Sequence, residues 1–428
     1  MADIKPVVMV PDDNARSYAD SSAPASEEKN GPAIHATDEM RRLATPWTVA
    51  VARARLLESC EIPEGVILDP ACGSATQLAA LCSVLNKPGL GVELSGAAAP
   101  LAAINLERCS IWAGGDWGES SRILWGDGTV AESILQTYHQ NIEAALPIAL
   151  LHIDPARPQD AQKHTLDEMQ PRLDHLLSSW APFLAKEPAL ILDLSPRLSD
   201  EQRMQVEQIV SSIWGDVNTT WQWMTQGRGR IDRLSLWVGP VAISKPNRLV
   251  RLSKTGDVTM LEGFQEHSIA DQNNVEVGEH LTIVDPSLIA SGLAESWKEI
   301  ASMSNPRWDT VTGRRPTMTS SEPILSTYHE LHVSDETYET IFSFVQITGE
   351  IVARISALDF DCVSKITQTA SELGISSLKI RCTIDPNVQP KLQSKLDREM
   401  RSLSEDNSAS SGFIAEVNNS YVICKEYN

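Results

Sequence analysis

Between Val66 and Trp214, five short apolar runs each lead into a stretch of helical period, and few folds accommodate that succession. The pairs are Val66–Asp69 with Thr76–Leu85, Leu90–Glu93 with Ala97–Cys109, Ile123–Trp125 with Val130–Gln140, Ile148–Asp154 with Leu166–Lys186, and Ala189–Leu194 with Asp200–Trp214. Strands joined through helices run parallel, with the helices covering both faces of the sheet. Then the succession breaks. Thr219–Thr225 and Leu234–Val238 leave no room for a helix between them, so they should pair antiparallel. The expectation is an α/β domain over 37–240 with a seven-stranded, Rossmann-like sheet.

After Gly239-Pro240 the texture changes. Arg248–Leu252 and Val258–Leu261 flank Lys254-Thr255-Gly256-Asp257, a hairpin signal. Beyond it, His280–Val284, Tyr328–Val333, Glu350–Ile355 and Leu378–Ile384 read as strands. Ser287–Ile300 and Cys362–Leu373 read as helices, and Asn305–Pro323 as a connection. An α+β accessory domain over 241–428 follows. Residues 1–36, rich in Pro, Ser, Ala, Asp and Glu without periodicity, read as a disordered leader.

With 36 Lys and Arg against 57 Asp and Glu, the net charge is −21, which excludes a uniformly basic nucleic-acid coat. Two basic islands stand out. Arg228–Lys254 holds seven basic residues against the single acid Asp232, and Arg41–Arg55 holds four Arg and no acid. Either could receive a polyanion. No apolar run approaches the ~20 residues of a membrane span, and the start MADIKPVVMVPDDNAR has no secretory-signal pattern. Seven Cys at irregular spacing, with no CxxC pair and no Cys/His zinc pattern, suggest isolated thiols in a reducing cytoplasm and no bound metal.

The string Asp69-Pro70-Ala71-Cys72-Gly73-Ser74-Ala75-Thr76 lies directly between a strand and a helix. Its small residues let the backbone turn sharply and approach a ligand closely. A dinucleotide loop would carry G-x-G-x-x-G there, and this string has one Gly. Glu93, ending the second strand, can accept both hydroxyls of a ribose, which suits S-adenosylmethionine and NAD alike. Thr45-Pro46 reads as an N-cap and first helical position opening the helix Pro46–Glu58. His152, inside a buried strand, reads as a packed core residue, and His164 as a candidate proton acceptor. Trp214, Trp221, Trp223 and Trp237 read mainly as core.

The loop resembles the D-P-x-C-G-S-G loop of S-adenosylmethionine-dependent amino-methyltransferases, class I enzymes, with Ala75 in place of the final Gly. The resemblance implies S-adenosylmethionine as cofactor, held by Thr45, Asp69, Ala71, Gly73, Glu93 and Asp127. In it Asp127 accepts from the adenine amino group, and the helix start at Thr45-Pro46 meets the methionine moiety. The fourth strand ends Asp154-Pro155-Ala156-Arg157 where that family has D-P-P-Y, so Arg157 replaces the stacking aromatic. D-P-A-R looks more like methyltransferases with a C-terminal THUMP-like domain. Asp154 and Arg157 are then the catalytic pair, and Arg228, Arg230 and Arg233 the substrate contacts. The uracil-C5 methyltransferases of RNA also carry Asp-Pro and Arg here, but need a Cys near the end of the fifth strand. This chain has Asp193-Leu194-Ser195-Pro196-Arg197 instead. Methyl transfer to a nitrogen of structured RNA, without a covalent adduct, is the expectation. A non-catalytic cofactor- or RNA-binding module, and a methyltransferase of a small molecule or protein, stay open beside it.

Overall fold

A computed structural model describes residues 5–154, 166–227, 229–271, 275–324, 334–403, 410–418 and 420–427. They form two compact units. The first comprises 1–222, 233–246 and 252–258, and the second 223–232, 247–251 and 259–428. The expected single boundary near 240 is thus replaced by an interleaved one. The turn 223–232 and the strand segment 247–251 fall in the second unit, between stretches of the first.

In the first unit the strands are β1 (Val7–Met9), β2 (Val66–Asp69), β3 (Gly89–Glu93), β4 (Arg122–Trp125), β5 (Ile148–Ile153), β6 (Leu190–Leu194), β7 (Thr219–Thr225) and β8 (Arg233–Val238). Their order is β1-β4-β3-β2-β5-β6-β8-β7. Strands β2 to β6 pair in parallel, Leu68 opposite Leu90 and Leu151, and Leu151 opposite Leu190. β8 runs antiparallel to β6, with Leu192 opposite Leu236. β2 and β5 are buried on both faces, as a helix-covered parallel sheet requires. Ile67, Leu78, Leu150, Ile191 and Trp237 share one core.

The expected seven strands are corrected to ten in this sheet, the last two being Asn247–Leu252 and Val258–Gly263. β1 pairs antiparallel with the β4 edge, Val8 opposite Leu124. The leader is therefore ordered, contrary to expectation. Asp12 caps the helix Asp13–Ser22 by accepting from the Ala15 N–H, and Ala19, Ala23 and His35 are buried. Composition missed this because the leader is held by partners distant in sequence, not by a periodic face of its own. The expected helix Leu166–Lys186 is also shorter, Leu173–Trp180, with Pro171 before it and Pro182 after it.

The second unit contains β9 (Asn247–Leu252), β10 (Val258–Gly263), β11 (His280–Val284), β12 (Arg307–Thr310), β13 (Thr317–Ser320), β14 (Val345–Ile355), β15 (Ile375–Ile380), β16 (Ser410–Val417) and β17 (Ser420–Glu426). Seven of these form a sheet of order β12-β13-β11-β14-β17-β16-β15. β15 and β16 are parallel, and the helix Gln389–Leu403 makes their crossover. Leu392 and Leu396 of that helix pack with Val363, Ile366, Leu378 and Ile414. Asn305–Pro323 is not a plain connection, since it supplies β12 and β13. Ser287–Ile300 is two short helices, separated where Gly292 takes φ +69°. The candidate strand Tyr328–Val333 lies outside the described residues.

Candidate functional site

The carboxyl ends of parallel strands share one edge of the sheet, where α/β folds place their ligands. On that edge β2 ends at Asp69, β3 at Glu93, β4 runs into Gly126-Asp127, β5 into Asp154, and β6 into Ser195. The loop after β2 is held at every step. The Ala71 N–H donates to Asp69 Oδ1 at 3.1 Å, the Gly73 N–H to Glu93 Oε2 at 3.0 Å, and the Cys72 N–H to the Val92 carbonyl at 3.0 Å. Asn105 Nδ2 donates to the Ser74 carbonyl at 3.0 Å and to the His35 carbonyl at 2.8 Å. Gly73 takes φ +54°, and a Cβ added there would meet nothing within 4 Å. Ala75, fully buried, takes φ +59° at the helix start, a left-handed strain of about 1 kcal/mol.

Glu93 is occupied on both oxygens, since its Oε1 also accepts from the Ser95 N–H at 2.7 Å. Each oxygen keeps a further lone pair, enough for the two hydroxyls of a ribose. Burial raises its pKa, and the backbone N–H groups of Ser95 and Gly73 oppose the shift. Asp127 spends Oδ1 on the N–H and hydroxyl of Thr129, at 2.9 and 2.7 Å. Its Oδ2 has no hydrogen-bond partner among the described residues and is free to accept. At Gly128 a Cβ would overlap the Pro70 carbonyl oxygen, so only glycine lets these two loops close on each other.

Beneath the crevice lies a buried charge network that the sequence did not disclose. Arg53 donates Nη1 to Asp193 Oδ2 at 2.7 Å and to Gln77 Oε1 at 3.1 Å, and Nη2 to Asp193 Oδ1. His152 faces a carboxylate from each ring nitrogen, Asp69 Oδ2 at 2.8 Å and Asp193 Oδ2 at 3.2 Å. An imidazole so placed donates from both nitrogens only when protonated. Burial disfavours its charge, but Asp69 and Asp193 outweigh it and raise the His152 pKa to about 10. Burial likewise pushes Asp193 upward, and Arg53 with His152 overcomes it, holding Asp193 far below the usual carboxylate range. Thus His152 is a charged partner rather than an ordinary core residue.

Asp154 follows directly. Its surface is open to solvent, yet protein on most sides strips part of its hydration. That desolvation and the Asp193 charge raise its pKa, against Arg233, His152 and Arg53. Arg233, at the start of β8, donates Nη2 to Thr45 Oγ1 at 2.7 Å, while its buried Nε has no partner among the described residues. Thr45 is therefore not the N-cap; Pro46 occupies that position and the helix is Trp47–Arg55. Arg230 is exposed, pairs with Asp232 at 3.0 Å, and belongs to the second unit. Arg157, His164 and Arg228 lie outside the described residues. Trp221, Trp223 and Trp237 are buried, which closes them to base stacking. Cys72, within the loop, is an unreactive thiol: burial, Asp69 and Glu93 all push its pKa up.

Among the described residues no group of His, Cys, Asp and Glu could hold a metal, and no helix is long and apolar enough to cross a membrane. No family model matches the chain, and no curated protein sequence does. Solved structures do. A Listeria monocytogenes protein assigned to the class I S-adenosylmethionine-dependent methyltransferases is 15% identical, over 49% of this chain and 64% of that one, at a TM-score of 0.32. Precorrin-6y C5,15-methyltransferase from Geobacter metallireducens is 9% identical, over 50% of this chain and 98% of its own, at 0.33. TrmN from Thermus thermophilus is 16% identical, over 45% and 48%, at 0.28. The match thus spans less than two thirds of the Listeria protein and about half of TrmN. Likenesses this distant carry no weight on function.

Proposed function

We propose that the first unit binds S-adenosylmethionine and transfers its methyl group to a nitrogen, most readily of RNA. One observation carries the reading: Glu93 is pinned to the Gly73 N–H at the end of β3, beside the open acceptor oxygen of Asp127. These residues fit the cofactor. Glu93 would take the ribose hydroxyls, Asp127 the adenine amino group, and the open face of Gly73 the chain between them. Asp69 and Ala71 shape that loop, and Thr45, held by Arg233, closes the methionine end. When bound, the sulfonium supplies an activated methyl group. Asp154 accepts from the N–H of the incoming nitrogen, aims its lone pair, and stabilises the positive charge that grows there. A carboxylate with a raised pKa is also the better base for the departing proton. Arg157 and Arg233 are proposed to meet the acceptor's phosphates, and Arg228 and Arg230, which belong to the second unit, to be substrate contacts in their own right.

Thermal-shift and calorimetric titration test the cofactor directly. S-adenosylmethionine should stabilise the protein where NAD does not, since Glu93 alone suits both. Glu93→Ala should weaken S-adenosylmethionine by roughly 1.5–3 kcal/mol, the scale of hydrogen bonds to a charged group. Unchanged affinity in that variant would remove Glu93 from the site. Transfer of labelled methyl onto fractionated RNA, and not onto protein or small metabolites, tests the acceptor.

A further inference from the structure

Five arginines of the second unit gather around the turn 226–232 and the segment 313–316. Gly227 takes φ +80°, and a Cβ there would overlap the Arg251 guanidinium, which therefore lies directly on the turn's backbone. Gly229, at φ +68°, packs on the next segment: its Cβ would stand 3.1 Å from the Arg314 carbonyl oxygen. That oxygen also accepts from Gln346 Nε2 at 3.1 Å. Arg315 reaches the Cys382 carbonyl, next to Arg381. Arg230 stands on the rim, exposed and paired with Asp232.

The cluster is short of counter-charge. Nη1 of Arg251 and Nε of Arg381 are buried with no hydrogen-bond partner among the described residues. Burial pushes the Arg315 pKa down, and the neighbouring charge of Arg381 lowers it further, with Arg314 adding a smaller push. Burial lowers Arg251 as well, against the pull of Asp285 and Asp232. Those acids are engaged elsewhere. Asp232 holds Arg230 and the Gln226 N–H, and Asp285 holds the N–H and hydroxyl of Ser287. Glu416 faces Cys382 but forms no ion pair with these arginines among the described residues. Unpaired buried donors are costly, more so when charged, and a ligand that satisfies them recovers that cost.

We infer that this cluster is a seat for the phosphodiester backbone of a polynucleotide, built by the second unit alone. Guanidinium forks meet phosphate oxygens bidentately. Several of them spread over separate loops suit a row of phosphates better than one. The chain's net charge of −21 repels a polyanion elsewhere, which confines binding to such an island. The inference does not depend on methyl transfer, because binding is measured without cofactor.

The experiment is fluorescence anisotropy of the full chain with a labelled oligouridylate of about 20 nucleotides, across about 50–200 mM salt. Arg315→Gln/Arg381→Gln should weaken binding at least tenfold at the low-salt end. It should also reduce the slope of log affinity against log salt by about 1.4, near 0.7 for each lost phosphate contact on a single strand. Arg381→Gln alone removes no side-chain hydrogen bond among the described residues, so it should weaken binding severalfold at an unchanged melting temperature. Wild-type affinity and slope in both variants would overturn the seat. Displacement by inorganic pyrophosphate at equal phosphate concentration would overturn the polynucleotide and assign a small phosphate ligand instead.

Discussion

Replacing Asp154 by Ala is expected to cut methyl transfer by about a hundredfold or more, the range of a positioned acid–base group, while making the fold more stable. The two effects share one cause. In the folded chain Asp154 keeps only part of its hydration and feels the Asp193 carboxylate, so its pKa is raised. A carboxyl with a raised folded pKa loses stability for the protein as pH climbs from the unfolded value, about 3.9, through the folded one. Above the folded value the ionised group is therefore a burden, and its removal relieves the repulsion. Cofactor affinity should stay nearly intact, because Asp154 acts on the acceptor rather than on the cofactor. Turnover per folded molecule and the urea midpoint decide it. Full turnover in Asp154→Ala, or a loss of stability with turnover unchanged, would make Asp154 a structural residue.

The opposite sign is expected one strand away. Asp193→Ala leaves Arg53 and His152 in a buried site with Asp69 as the one remaining ion-pair partner of His152 among the described residues. Stability should fall by about 3–5 kcal/mol, the cost of stripping one partner from a buried ion pair. That cost does not mean the network stabilises the fold relative to apolar residues of the same volume; it measures the charges left behind. The pH dependence follows from the two shifts. Asp193, with its pKa depressed, contributes stability above about pH 4 that is lost as pH falls toward its folded value. His152, with its pKa raised to about 10, contributes stability that is complete below about pH 6.5. That contribution drains away as pH rises from there toward 10. Urea denaturation of the wild type should thus show a midpoint that declines across this alkaline window. In His152→Gln the decline should be absent. A flat wild-type profile, or a penalty under about 1 kcal/mol in Asp193→Ala, would mean water reaches the network.

What could be read along the chain was whatever neighbouring residues decide. The loop Asp69–Thr76, Glu93 at a strand end and the Gly126-Asp127-Gly128 turn are short strings whose chemistry is complete within a few residues. Their parallel run followed from the helices between them. The charge network was hidden because its members stand far apart in sequence, His152 83 residues from Asp69 and Arg53 140 residues from Asp193. Nothing in the spacing announces such a meeting. Thr45-Pro46 misled for a related reason: a hydroxyl beside a helix start has a local use, and Arg233, 188 residues away, claimed it instead. The arginines at 251, 315 and 381 were equally scattered, and only the turn 226–232 brought part of them to notice.

The ordered start of the chain reaches further than its own length. Asn105 joins the His35 carbonyl to the Ser74 carbonyl, so one amide ties the leader to the loop that would cradle the cofactor. On the other edge Pro6 packs against Gly126, beside the Asp127 turn. An affinity tag fused near Val7, or a protease that clips before the helix Asp13–Ser22, would therefore disturb both walls of the crevice. It would also bare the β4 edge to pairing with another molecule. Poor ligand binding in a trimmed preparation would then report damage at the far end of a lever, with every residue of the crevice still present.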